Sequence, residues 1–389
     1  MSGREQDPFI IFGAPDIRDD EVAEVEDALR SGWLGTGPRV ARFESDFANY
    51  KGVDARQVAA VNSCTAGLHV SMIAAGLSPG DEVLTTAMTF CATANAIIHA
   101  GATPVPVDID PVSQNIDVEL MRDRITERTR AIVPVHFAGR PCEMDAILAL
   151  AEEHQLVVIE DCAHAIETLW KGQTAGTFGD FGCCSFYVTK NITTGEGGMV
   201  LAKSEADIER IKVLALHGMT KDAWHRFGDE GYKHYQVVEA GFKYNMMDLQ
   251  AAIGIHQLRR IEASWQRRRE IWNRYQRAFA KMPVVLPADP ETGTRHAYHL
   301  YTIRIDSAEA GLARDEFIAA MSRSGIGVGV HYLSLASHPH YQERYGWRPN
   351  DYPAAQAVSE TTVSLPLSSK LTDADVERIV ETVEHVLGH

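Results

Sequence analysis

No apolar run in this chain approaches the ~18 residues that a membrane-spanning helix needs. The opening Met1-Ser-Gly-Arg-Glu-Gln-Asp-Pro lacks the apolar core of a secretory leader. A cytoplasmic protein is therefore expected. Cysteine is sparse: the six, at 64, 91, 142, 162, 183 and 184, contain no CxxC spacing, which argues against a zinc ribbon or a disulfide framework and for reduced core residues. No metal is expected, because His331, His338 and His340 also fit no standard ligand spacing. Positive charge is in short supply. With 37 Lys and Arg against 53 Asp and Glu, the net charge of −16 argues against nucleic acid or an anionic membrane as the partner. It leaves room for an anionic small molecule, which a few arginines or backbone amides can hold. Repeats and low-complexity segments are also missing.

What is present is a globular composition, 45% hydrophobic and 23% charged over 389 residues, enough for one large or two ordinary domains. Asp19-Asp20 caps an amphipathic helix expected over 21–30, followed by the Gly- and Pro-rich loop Trp33-Leu-Gly-Thr-Gly-Pro38. Trp33 reads there as a packing plug or as part of a binding wall. Phe43, Phe47 and Tyr50 share one face of the next helical pattern, 39–50, and read as core. From residue 59 apolar strands alternate with helices: strands at 59–61, 82–85, 103–108 and 131–136, with helices at 68–76, 92–100, 118–125 and 142–154. Such alternation predicts an α/β fold with a mostly parallel sheet covered on both faces.

Two strand ends carry the chemistry. Leu156-Val-Val-Ile-Glu-Asp161 is a fully buried strand that delivers Glu160 and Asp161 at its C-terminal end, where open α/β sheets bind ligands, with a helix expected over 163–169. A second strand, Cys183 to Val188, stops at Thr189-Lys190 and enters a Thr- and Gly-rich turn. Taken singly, Asp161 reads as a helix cap and Lys190 as a surface lysine. Together they meet the two needs of pyridoxal phosphate: an amine whose desolvation favours its nucleophilic neutral form, and a carboxylate that keeps the pyridine nitrogen protonated. Asn62-Ser-Cys-Thr65-Ala-Gly67 lies between a strand and a helix. Amides at such a helix start can cradle a phosphate, although Ser63 or Thr65 also suits plain N-capping. Phe90, just past a strand, suits either core packing or stacking on a flat ring.

The segments Asn62-Ser-Cys-Thr-Ala-Gly67, Val135-His-Phe-Ala-Gly139, Glu160-Asp-Cys-Ala-His-Ala165 and Ser185-Phe-Tyr-Val-Thr-Lys-Asn-Ile-Thr-Thr-Gly-Glu-Gly-Gly198, in this order, resemble the DegT/DnrJ-type nucleotide-sugar aminotransferases. The resemblance covers nearly the whole chain. It implies the fold-type I architecture of pyridoxal phosphate enzymes: a large cofactor-binding domain, 13–250, and a smaller C-terminal α+β domain, 251–389, joined by a long helix over 246–282. It also implies that Lys190 bonds the cofactor and moves the proton, that Asp161 partners the ring nitrogen, and that His164 holds the ring or its 3′-oxygen. Thr65, Ala66 and Ser185 match phosphate-binding positions, and Phe90 the stacking aromatic. Asn245 resembles an asparagine that reaches the phosphate of a neighbouring subunit, which implies a homodimer with shared sites; by itself it reads as a turn or cap residue.

In the smaller domain the pattern predicts strands at 299–305 and 328–333, a helix over 313–324, and a last helix from Thr372-Asp373 to Leu387 with a capping box between Thr372 and Asp375. Arg267-Arg-Arg269 reads as a solvated face. The resemblance places His331 and Tyr332 beside the substrate, with Trp33 as a further candidate wall. It implies ping-pong transfer from L-glutamate to the keto carbon of a nucleotide-linked sugar. Lys243-Tyr-Asn245 and Gly329-Val-His331-Tyr332 are most similar to enzymes making UDP-4-amino-4-deoxy-L-arabinose, which implies C4 and a UDP carrier; GDP- and dTDP-sugars stay open, as do lipopolysaccharide, glycan and antibiotic pathways. The alternatives are a sugar dehydratase, disfavoured because that group replaces the lysine with histidine, and a non-catalytic ligand sensor, which has no need of a proton-moving lysine.

Overall fold

The computed structural model describes residues 8–220 and 235–388. The N-terminal reading of residues 1–7 and part of the 220–250 stretch therefore lie outside the described residues. Seven strands form the central sheet: β1 (Val58–Val61), β2 (Glu82–Thr86), β3 (Thr103–Val107), β4 (Thr129–Val133), β5 (Val157–Cys162), β6 (Phe181–Ser185) and β7 (Gly198–Ala202). Their spatial order is β1-β7-β6-β5-β4-β2-β3. The block from β3 to β6 is parallel, and β7 runs antiparallel between β6 and β1. The alternation of apolar strands with helices thus yields the expected architecture, since parallel neighbours need helical crossovers on the sheet faces.

Both faces are buried. Leu68, Val83, Val133, Ile159 and Val200 pack on one side, while Leu84, Ile132 and Val158, and separately Phe43, Phe47 and Phe186, pack on the other. Each such side chain contributes about 1.5–3 kcal/mol when fully buried. A separate core lies in the C-terminal part, where strands Tyr301–Arg304 and Thr362–Leu365 pair antiparallel beneath Trp272, Tyr275, Phe279 and Phe317. Thr372 caps the last helix, Asp373–Val386, with the reciprocal Thr372 and Asp375 bonds of a capping box.

Several expected elements differ. Residues 163–168 form turns rather than a helix, because the Asp161 carboxylate accepts the Ala163 N–H at 3.0 Å and folds the chain back toward the short strand Leu169–Trp170. The Lys190 strand ends at Ser185, whose hydroxyl takes the Tyr187 N–H at 3.3 Å. Residues 328–333 are not a strand; Gly329 alone bridges to Ser364. The long helix expected over 246–282 is two helices, Asp248–Arg259 and Ile261–Ala278, broken at Arg260, whose guanidinium is drawn to Glu21 and to the Asp16 carbonyl. The arginine run is not uniformly solvated either: Arg268 is buried and paired with Glu167.

Candidate active site

Parallel strands all end on the same side of a sheet, so β5 and β6 present their C-terminal residues to one cleft. Their register pairs Asp161 with Cys183 and Cys162 with Cys184, and the turn after β6 returns Lys190 to the mouth. Lys190, Asp161, His164, Phe90, His331 and Tyr332 line a cleft of about 500 Å³, with Thr65 and Ser185 also in its wall. One strand crossing thus brings together residues far apart in sequence.

Lys190 is set in a desolvating environment. Burial lowers its pKa to about 8, against the opposing pull of Cys64 and Asp161. Asp161 is 5% exposed, and burial pushes its carboxyl up; the Ala163 amide, the Thr93 hydroxyl at 2.8 Å and Lys190 act in the other direction. Among the described residues no cationic side chain pairs directly with this carboxylate. A buried carboxylate of this kind calls for a cationic partner. Glu160, adjacent in sequence, is consumed elsewhere: its carboxylate accepts the amides of Gly176, Phe178 and Gly179 and sits 3.0 Å from His136 Nε2.

A helix start forms another part of the wall. Helix Cys64–Ala74 starts in the cleft with Ser63 as N-cap, its hydroxyl accepting the Ala66 amide at 3.1 Å. The capping reading is realised, and the cap engages the Ala66 amide while Ser63, Cys64 and Thr65 line the cleft. β7 passes so close that a Cβ on Gly198 would meet the backbone of Ser63 and Cys64 at 2.6 and 2.7 Å. Ala66 lies behind the wall. Cleft size, buried carboxylate, amine and helix start together fit pyridoxal phosphate.

The aromatic side of the cleft is prearranged as well. Phe90, at the start of helix Cys91–His99, is 57% exposed and stands 5.9 Å from the Tyr332 ring. His164 accepts the Ala138 N–H on Nδ1 at 3.2 Å, so its hydrogen is on Nε2, 3.0 Å from the Tyr332 hydroxyl. Burial keeps this imidazole neutral, with its pKa well below the usual value. Both His164 nitrogens are therefore engaged within the protein, and Tyr332, which lines the cleft, keeps its hydroxyl hydrogen for another acceptor. His331 is comparable: burial lowers its pKa to about 4, and Nδ1 sits 2.8 Å from the hydroxyl of fully buried Ser364. That hydroxyl needs an acceptor, and among the described residues Nδ1 is the one in reach, so Nε2 carries the His331 hydrogen.

Trp33 and Asn245 are not in this cleft. They border a second cavity of about 560 Å³, where the Asn245 amide donates to the Thr36 hydroxyl at 2.6 Å and the Trp33 indole donates to the Thr36 carbonyl at 3.1 Å. Sequence reasoning missed Thr93, which fixes Asp161, and Ser364, which fixes His331. Neither belongs to a recognisable pattern, and only folding brings them to their partners.

This fold, with a lysine, a buried aspartate and a helix start lining one cleft, is that of a fold-type I pyridoxal phosphate-dependent aminotransferase. The profile of the DegT/DnrJ/EryC1/StrS aminotransferase family matches residues 15–384, and the chain belongs to that family. It is 45% identical over 385 residues to the spore coat polysaccharide biosynthesis protein SpsC of Bacillus subtilis (strain 168), covering 99% of this chain and 98% of that one. Among solved structures it is similar to the aminotransferase TlmJ from Streptoalloteichus hindustanus, with a TM-score of 0.89, 34% identity and coverage of 97% of this chain and 98% of that one. Spr1654 from Streptococcus pneumoniae, described as a candidate sugar aminotransferase, is similar in its PMP form, with a TM-score of 0.90, 34% identity and coverage of 97% and 99%. Its PLP form gives a TM-score of 0.89.

Proposed function

We propose that this sugar aminotransferase moves the amino group of L-glutamate to C4 of a UDP-linked keto sugar, leaving 2-oxoglutarate. Two neutral hydrogen-bond donors on residues that line the cleft, Tyr332 Oη and His331 Nε2, carry this reading. Uncharged donors suit the carbonyl and hydroxyl oxygens of a sugar. The Lys243-Tyr-Asn245 stretch supports C4 and the UDP carrier by resemblance, and SpsC's part in polysaccharide biosynthesis supports an amino sugar destined for a surface polymer.

When bound, pyridoxal phosphate supplies a carbonyl that carries nitrogen and a ring that accepts an electron pair. The chain's own residues do the rest. The first-turn amides of Cys64 and Thr65, with Ser185, would hold the phosphate, and Phe90 would pack against the ring. Asp161 holds a proton at the ring nitrogen. Lys190 Nζ takes the α-proton of the donor and later returns a proton to the sugar carbon, which sets the stereocentre. Asn245 and Trp33, set apart from the Lys190 cleft, fit the reading of a homodimer in which each subunit completes its partner's site. In the same reading residues 13–250 bind the cofactor and 251–389 close over the substrate.

The test is spectroscopic. L-glutamate added to the cofactor-loaded protein is expected to abolish the visible band of the lysine-bound cofactor, and one class of 4-keto sugar among UDP-, dTDP- and GDP-linked forms to restore it. A band that glutamate leaves unchanged refutes the donor; restoration by a dTDP- or GDP-sugar alone refutes the UDP carrier.

A further inference from the structure

The turn carrying Lys190 is tied down by a side chain that the chemistry itself does not use. Asn191 donates from Nδ2 to Glu167 Oε2 at 2.8 Å and to the Ala297 carbonyl at 3.0 Å, and its Oδ1 lies 2.9 Å from His299 Nδ1. With both amide hydrogens committed, Oδ1 is the acceptor and His299 Nδ1 the donor. Burial, reinforced by Lys190, lowers the pKa of His299 well below the usual value and keeps it neutral. Glu167 lies on the segment that leaves β5 just after Asp161, and it is 1% exposed. Its other oxygen is taken by Arg268, 2% exposed, from helix Ile261–Ala278. The carboxylate is therefore fully engaged, with a cation on one oxygen and Asn191 on the other.

We infer that Asn191 is a positioning residue for amino transfer. Its carboxamide fixes the Lys190 turn against Glu167 on the Asp161 side and against residues 297–299 on the C-terminal side, which holds Lys190 Nζ at the carbon whose proton it moves. The inference rests on the reading of Lys190 as the cofactor lysine. The site demands an amide in one orientation, two donors toward two oxygens and one acceptor toward an imidazole N–H. A carboxylate of the same shape would set oxygen against the Glu167 oxygen and the Ala297 carbonyl. Proton transfer depends steeply on placement, so loosening this turn lowers rate more than binding.

Asn191→Asp and Asn191→Ala separate this role from simple space filling. Both are prepared alongside wild type, and three quantities are read on folded protein: thermal stability, the rate at which apo-protein takes up pyridoxal phosphate into its visible band, and the single-turnover rate with L-glutamate. Both variants are expected to lose about tenfold or more in the two rates, Asp at least as much as Ala, with the apparent affinity for glutamate changed less than about threefold. An Asn191→Asp protein matching wild type overturns the inference, because shape alone would then suffice. Lowered thermal stability with unchanged rates in both variants overturns it too. Absence of the visible band from wild type itself overturns the Lys190 reading and this one with it, whereas a normal wild-type band beside undamaged variants overturns this one alone.

Discussion

Lys190 shows how a single environment sets reactivity. Burial lowers its pKa to about 8, so the neutral, nucleophilic amine is a minor species at neutral pH and the major one a unit above that value. The rate at which apo-protein takes up pyridoxal phosphate is therefore expected to rise about tenfold per pH unit below pH 8 and to level off above it. Stopped-flow absorbance across that range measures it; a rate still climbing toward pH 10 would mean an ordinary surface lysine. Thr93 and Ser364 work on the same scale, each giving one buried polar group its orientation.

Elements bring those residues within reach of one another. The start of helix Cys64–Ala74, the proposed phosphate cradle, keeps its place only because β7 approaches it without a side chain at Gly198, where a Cβ would lie 2.6 to 2.7 Å from the Ser63 and Cys64 backbone. Backbone cannot yield as a flexible side chain does. Gly198→Ala is expected to destabilise the protein by about 1–3 kcal/mol and to weaken cofactor binding by displacing the first-turn amides. Denaturant unfolding and cofactor titration check both effects, and a variant with normal affinity for pyridoxal phosphate would show that the cradle tolerates displacement. The break at Arg260 is likewise an element-scale event, since it redirects the following helix so that Arg268 arrives beside Glu167.

The whole molecule has a pH dependence of its own. His164, His296, His299 and His331 are all held neutral by burial, His331 with a pKa of about 4. Unfolded, each binds a proton near pH 6.5, so below that value the unfolded state binds more protons than the folded one and stability falls as pH falls. Each histidine contributes up to about 1.4 kcal/mol per pH unit through this window. The melting temperature of the apo-protein is therefore expected to drop steadily between about pH 7 and pH 5, and a flat profile there would mean that these imidazoles charge freely in the folded state.

The sequence by itself determined the class of fold and that Lys190 and Asp161 share one cleft. Apolar runs alternating with helical patterns leave little choice but a covered parallel sheet, and a strand's last residues must lie at its C-terminal edge. Asp161 was legible for that reason and Lys190 because its turn follows directly on the neighbouring strand, and the order of the motif segments carried the family. Local rules failed where a side chain captured a backbone group, as Asp161 does to residues 163–168, or where pairing partners were lacking, as at 328–333. Only the tertiary structure decided that both His164 nitrogens are spent on Ala138 and Tyr332, that Trp33 and Asn245 stand apart from the Lys190 cleft, and that Arg268 of an apparently solvated run is buried beside Glu167. The physical reason is common to all three: hydrogen bonds and burial between distant segments depend on where folding brings them, and no periodicity along the chain encodes that meeting.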